Sequence, residues 1–155
     1  KKHIASLQEN IQSSLRTAVL LAQTEAIKRS DEVVVCPLQS RDSIRCADPV
    51  TWRNGWLVFV DGDGDMLYSA GSDELIRINI MDENPFYAEY SAACFSLNAQ
   101  GYFKATDSVF TVCADDGTLD PVAYTILKYG EFMPLSDTDG NGNPNDLNGD
   151  DLVCK

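Results

Sequence analysis

Histidine is nearly absent from this chain: among 155 residues the only imidazole is His3. A Ser-His-Asp or Cys-His arrangement would have to draw its base from the first turn of the sequence. Paired carboxylates abound, but acids crowded into polar turns are ordinarily just solvated. With no site that could be assembled, the chain is expected not to be an enzyme. No glycine-rich loop leads from a strand into a helix; Gly62 and Gly64 are flanked by aspartates, which would repel a phosphate. No Cys-x-x-Cys pair occurs, so the tight ligand set of a structural zinc site is missing. Basic residues are few, 12 Lys and Arg against 24 Asp and Glu, for a net charge of −12. They do not cluster, so nucleic acid is not expected as a partner. No apolar run approaches the ~20 residues needed to span a bilayer, and the chain opens on Lys1-Lys2-His3 with no signal peptide visible.

What is present suffices for one ordinary domain, residues 1–155, because a hydrophobic fraction of 44% can build a core. Five cysteines, Cys36, Cys46, Cys94, Cys113 and Cys154, fit two disulfides and one leftover thiol in an oxidising compartment. Cys94, in the apolar run Ala92-Ala93-Cys94-Phe95, reads as a free thiol buried in a strand. Cys36 and Cys46 enclose a short loop and are expected to pair. Cys113 and Cys154 would pin the C-terminal tail to the sheet, the alternative being a Cys154 that is free or bonded to another subunit.

Residues 3–29 read as one helix. Ile4, Leu7, Ile11, Leu15, Ala18, Ala22 and Ala26 recur at three- and four-residue steps, and ~1.5 Å of rise per residue makes it ~40 Å long. Residues 32–128 read as β. Val33–Val35, Trp56–Val60, Leu75–Ile80, Tyr90–Leu97, Val109–Cys113 and Val122–Lys128 are short apolar or alternating runs between turn residues. The fold class is α+β, one long helix packed on antiparallel sheets. Trp56 alternates with Val58 and Val60 as core, while Trp52 is expected to cover a sheet edge, with a binding platform as the other reading.

Residues 129–155 read as an acidic C-terminal loop. Asp137, Asp139 and Asn141 offer oxygens at positions one, three and five of a calcium loop, with Gly142 at the turn position; Asn148 at position twelve is no bidentate acid, and Asp146 is near enough to compensate. Calcium is the candidate ion there, and a plain solvated loop is the alternative. Asp61-Gly62-Asp63-Gly64-Asp65 has the same alternation, with a hairpin turn as its competing reading. No other cofactor is expected.

The helix end runs into Val33-Val34-Val35-Cys36-Pro37, followed by the string Trp52-Arg53-Asn54-Gly55-Trp56-Leu57-Val58-Phe59-Val60-Asp61 and then Asp73-Glu74-Leu75. This pattern resembles the minor pilin and pseudopilin family that includes FimT, FimU and GspH. Its motif positions here are Trp52, Gly55, Trp56, Phe59, Asp61 and Glu74, and the match is clear over roughly residues 15–80. The resemblance implies an N-terminal hydrophobic half-helix, cut by a prepilin peptidase, ahead of residue 1. It implies a subunit anchored in the inner membrane and facing the periplasm, then carried into a pilus, at its tip. The partners implied are other minor pilins and the major pilin. The expected role is to prime or cap type IV pilus assembly, with a GspH-type minor pseudopilin of type II secretion as the alternative. A tip module for DNA uptake or calcium-dependent adhesion is the alternative of another class. Some FimT-like members bind DNA through a basic Gly-Arg-x-Arg stretch; the corresponding Gly130-Glu131-Phe132-Met133 has no base.

Overall fold

Residues 2–29 contain neither proline nor glycine, and they form a single helix, α1 (Lys2–Arg29). The computed structural model describes residues 2–40, 43–46, 52, 54–65, 67–80, 86–90, 94–103, 109–114, 121–141, 143–146, 149, 150 and 152. Side chains are described from Ile11 onward, except at 39, 40, 43–46, 86 and 90. Ile4 and Leu7 therefore lie outside the described side chains.

Ile11, Leu15, Ala18, Val19, Ala22 and Ala26 are all buried. Alanines at 18, 22 and 26 follow one another a turn apart on that face, and their small side chains let the helix backbone lie close to the sheets. The helix stops at Ser30, whose φ is 54°. Asp31 N donates to Ala26 O at 3.1 Å and Ser30 N to Ile27 O at 3.3 Å, the paired bonds of a Schellman cap. A serine holds the left-handed position that glycine usually takes, at a steric cost. Ser30→Gly is expected to raise the unfolding free energy by about 0.5–1 kcal/mol, read as a higher urea midpoint at unchanged slope.

Among the described residues nine strands follow: β1 (Val33–Ser40), β2 (Ser43–Cys46), β3 (Gly55–Val60), β4 (Glu74–Ile80), β5 (Phe86–Tyr90), β6 (Phe95–Leu97), β7 (Val109–Ala114), β8 (Val122–Ile126) and β9 (Phe132–Leu135). They make two antiparallel sheets. In the first, β1 has β3 and then β4 on one side, with β6 and β2 sharing its other side; the second runs β5-β7-β8-β9. Helix α1 touches strands of both. Pro37 sits inside β1, paired with Trp56 on the β3 side. On the opposite side β6 pairs Val33–Val35 and β2 begins at Leu38. The proline, which has no N–H to give, falls in the gap between them.

Every residue of β3 is buried. Trp56, Val58 and Val60 face the helix in the main core, while Leu57 and Phe59 join Val34, Cys36 and Leu38 in a second cluster on the outer face. The β3–β4 loop folds back over this cluster, and Tyr68 meets Phe59 edge to face at 5.5 Å.

The structure corrects several expectations. The run Tyr90–Leu97 is not one strand: β5 ends at Tyr90 in the second sheet, and β6 starts at Phe95 in the first. Apolar composition cannot reveal that a chain changes sheets. The segment 129–155 is not all loop, because β9 pairs with β8 from Ala123↔Leu135 to Ile126↔Phe132. Pro134 sits in β9, which is tolerable because β9 is an edge. Trp52 does not cover an edge but is fully buried.

Candidate functional site

The tryptophan motif is built as a joint between the sheets. Trp52 N donates to Ala88 O of β5 at 2.9 Å. Its indole stacks on Phe95 at 5.9 Å, meets Trp56 at 6.0 Å and stands edge-on to Phe110 of β7 at 5.1 Å. Gly55 has φ 116°, and a Cβ there would collide with the Asn79 carbonyl oxygen of β4. Only glycine permits that approach. Phe59 faces the outer cluster, Asp61 is buried where the strand ends, and Glu74 accepts an ion pair from the Arg29 guanidinium. Arg29 also donates to Glu25 at 2.8 Å, which holds the Glu25 carboxyl below its ordinary value. All six motif residues thus have folding roles.

Cys36 is bonded to Cys94, not to Cys46. The register decides this. Val35 lies opposite Phe95, so the next pair outward along β1 and β6 is Cys36 with Cys94, at a Cα–Cα distance of 4.5 Å. Cys46 lies opposite Leu38 on β2 instead. Nearness in sequence misled because the register of this hairpin puts Cys46 opposite Leu38, two residues beyond Cys36. Cys113 is also disulfide-bonded, and Cys154 lies outside the described residues.

Two acidic loops differ in geometry. In the β3–β4 loop, Asp61, Asp63, Asp65 and Asp73 bring one carboxylate oxygen each within 4.8 Å of one another. Asp73 accepts Gly62 N at 2.7 Å and Ser69 N at 2.8 Å, and Asp61 accepts Gly64 N at 3.1 Å. A hydrogen bond with the Asp65 carboxyl, and then one from the Ser72 hydroxyl at 3.0 Å, hold Asp63 below its ordinary pKa. The loop supplies four acid oxygens where calcium wants six to eight, the rest coming from carbonyls and water.

In the C-terminal loop, Asp137 accepts the amides of Gly140 and Asn141, and Asp139 that of Asn141. Asp146 belongs to a separate turn, where it accepts Asp150 N at 2.9 Å. Among the described residues Asp137, Asp139 and Asp146 do not form a compact acid cluster. The centre of this loop is Asn145, 2% exposed. It accepts from the Thr138 amide and hydroxyl and donates to Gly149 O. Sequence reading gave Asn145 no such role; an asparagine amid polar residues carries no signal of burial.

A family model described as Type II transport protein GspH matches residues 12–127. The chain belongs to the GspH family. No relative is found by sequence among the curated proteins. Among solved structures, this GspH-family chain is similar to the type IV minor pilin FimU of Pseudomonas aeruginosa. One FimU crystal form gives a TM-score of 0.61 at 16% identity, covering 86% of this chain and 88% of FimU. A second gives 0.57 at 17% identity, covering 84% and 90%. At these identities the likeness establishes the fold: the pilin-like helix on antiparallel sheets. Family and fold together make the chain a type IV minor pilin or a GspH-like pseudopilin, in a family of structural proteins whose subunits contact other pilins in the periplasm and in a pilus or pseudopilus. Among the described residues no helix is long and apolar enough to cross a membrane.

Two surfaces flank α1. A cleft of about 450 Å³ lies between the helix and β3–β4, rimmed by Ser13, Ser14, Thr17 and Arg77 over Trp56 and Val58. On the other flank, Leu20, Ile27 and Tyr129 are exposed, and Ile27 lies against Gly101. The Gln23 amide anchors that flank by donating to Gly101 O and Tyr129 O, both at 2.9 Å. Sequence reading passed over Leu20 and Ile27. Their signal was available, since they sit seven residues apart on the face opposite the buried stripe.

Proposed function

We propose that this chain is the globular part of a minor pilin that primes or caps the assembly of a type IV pilus. The observation that carries the reading is the FimU-like fold over most of both chains, in which no motif residue is left over for chemistry. The long helix, with an apolar stripe on its exposed side, suits a subunit that packs among others. In this reading the full-length protein is anchored in the inner membrane, works with other minor pilins and the major pilin, and ends near the fibre tip. The family match favours one second reading, a minor pseudopilin of type II secretion. The test is to isolate sheared surface fibres from cells making the full-length protein and probe them for it. Its presence together with other minor pilins supports the pilus reading. Its absence from pili, with co-purification of secretion pseudopilins, supports the second.

A tip-binding role in DNA uptake runs against the charge of −12. An ion at either acidic loop would be calcium by its oxygen donors. If one binds, millimolar calcium raises the melting temperature and magnesium does not. An unchanged curve marks both loops as turns closed by their own amides.

A further inference from the structure

We propose that the flank formed by Leu20, Ile27, Tyr102, Lys128 and Tyr129 receives the Asp61–Asp73 loop of a second copy of this chain, joining copies side by side through unlike surfaces. The two surfaces stand at opposite ends of one continuous row of backbone pairing. Phe103 N donates to Lys128 O at 2.7 Å, and Phe103 pairs with Leu97. Leu97 then pairs with Val33, Val33 with Val60, and Val60 with Glu74. Five such steps span about 24 Å at the usual strand spacing. Within one chain this row holds Lys128 and Tyr129 away from the loop, but between two chains they can meet.

Their chemistry is complementary. The flank exposes apolar surface: Leu20 is 60% exposed, Ile27 53% and Tyr129 57%. Tyr102 and Tyr129 meet edge to face at 5.2 Å, and the Lys128 ammonium lies 4.8 Å from the Tyr102 centroid and 5.9 Å from that of Tyr129. Further along the helix, the Arg16 guanidinium lies over Phe132. Glu131 is the one exposed acid in this turn among the described residues. The loop offers the opposite: exposed Asp63 and Asp65 beside Leu67, which is 54% exposed. The net charge of −12 opposes close approach of two copies in general, and opposite charges at these two surfaces favour this register. A contact between unlike surfaces does not close on itself and extends a row. The pairing rests on the assembly reading for its setting, but it is tested on the isolated chain.

The experiment is sedimentation equilibrium of the isolated chain across micromolar to millimolar concentrations and at two ionic strengths. The average mass is expected to rise with concentration and fall with salt. A loop variant, Leu67→Asp, and a flank variant, Lys128→Glu with Tyr129→Asp, should each weaken self-association at least about tenfold. Asp63→Lys with Asp65→Lys serves as a second loop variant should Leu67→Asp not fold. Mixing a loop variant with the flank variant leaves one intact loop and one intact flank, so a one-to-one dimer and nothing larger is expected. A wild type that stays monomeric to about 1 mM overturns the proposal. So does a mixture that forms no dimer while the wild type associates, because the contact is then not between these two surfaces. If the dimer forms but loss of the gene leaves pili and secretion intact, the assembly reading fails and the contact stands.

Discussion

Trp52→Ala is expected to lower the unfolding free energy by about 3–5 kcal/mol, the cost of removing a large aromatic from a packed core. The effect should lie at the upper end, because this indole fills the seam between the two sheets. Stacked on Phe95, against Trp56 and edge-on to Phe110, it loses contacts on three sides when truncated. The backbone hydrogen bond to Ala88 survives the substitution, so the loss measures packing. Trp52→Phe, which keeps an aromatic ring in the seam, should lose less than half as much. Urea unfolding followed by far-ultraviolet circular dichroism reads both variants. A loss below about 1 kcal/mol for the alanine variant, the range of exposed positions, would mean that Trp52 covers an edge after all.

Removal of the Cys36–Cys94 bridge should be comparably costly. The bridged residues are 58 apart in sequence, and closing a loop of that length stabilises by about 4 kcal/mol in the chain-entropy model. Cys36→Ala with Cys94→Ala should therefore bring the melting temperature down sharply under oxidising conditions. Cys46 stands opposite Leu38 and is not the partner of Cys36. Non-reducing peptide mapping gives the complementary readout: one fragment linking the segments around Cys36 and Cys94. A fragment linking Cys36 to Cys46 would contradict the register of β1 against β6.

Both predictions turn on features the sequence made partly legible. Helix α1 and the alternation of Trp56, Val58 and Val60 were plain, because periodicity reports which face is buried. The recognition motif was equally plain, and through it the family. The placement of Trp52 was not. It depends on where β5 and β7 lie, and a strand in a second sheet leaves no mark on the local pattern around residue 52. The pairing of Cys36 with Cys94 was hidden for the same reason: β6 returns to β1 after β5 has visited the other sheet. Asn145 and β9 were missed for a different reason. Both lie in a stretch whose polar composition signals exposure, while the chain uses one buried amide and one edge strand there to order it. The compact acid cluster was half legible. The alternation of Asp61, Asp63 and Asp65 was visible, whereas Asp73 joins them only because the loop folds back over Phe59.

The central claim is that this chain is a subunit of a pilin-like fibre, and deletion of its gene tests it most directly. Surface pili and secreted protein are measured in cells lacking the gene and in the same cells carrying the full-length gene. The account predicts that pili, or in the second reading secretion, are lost without the gene and restored with it. Pili of normal number together with normal secretion in the deletion strain would contradict it.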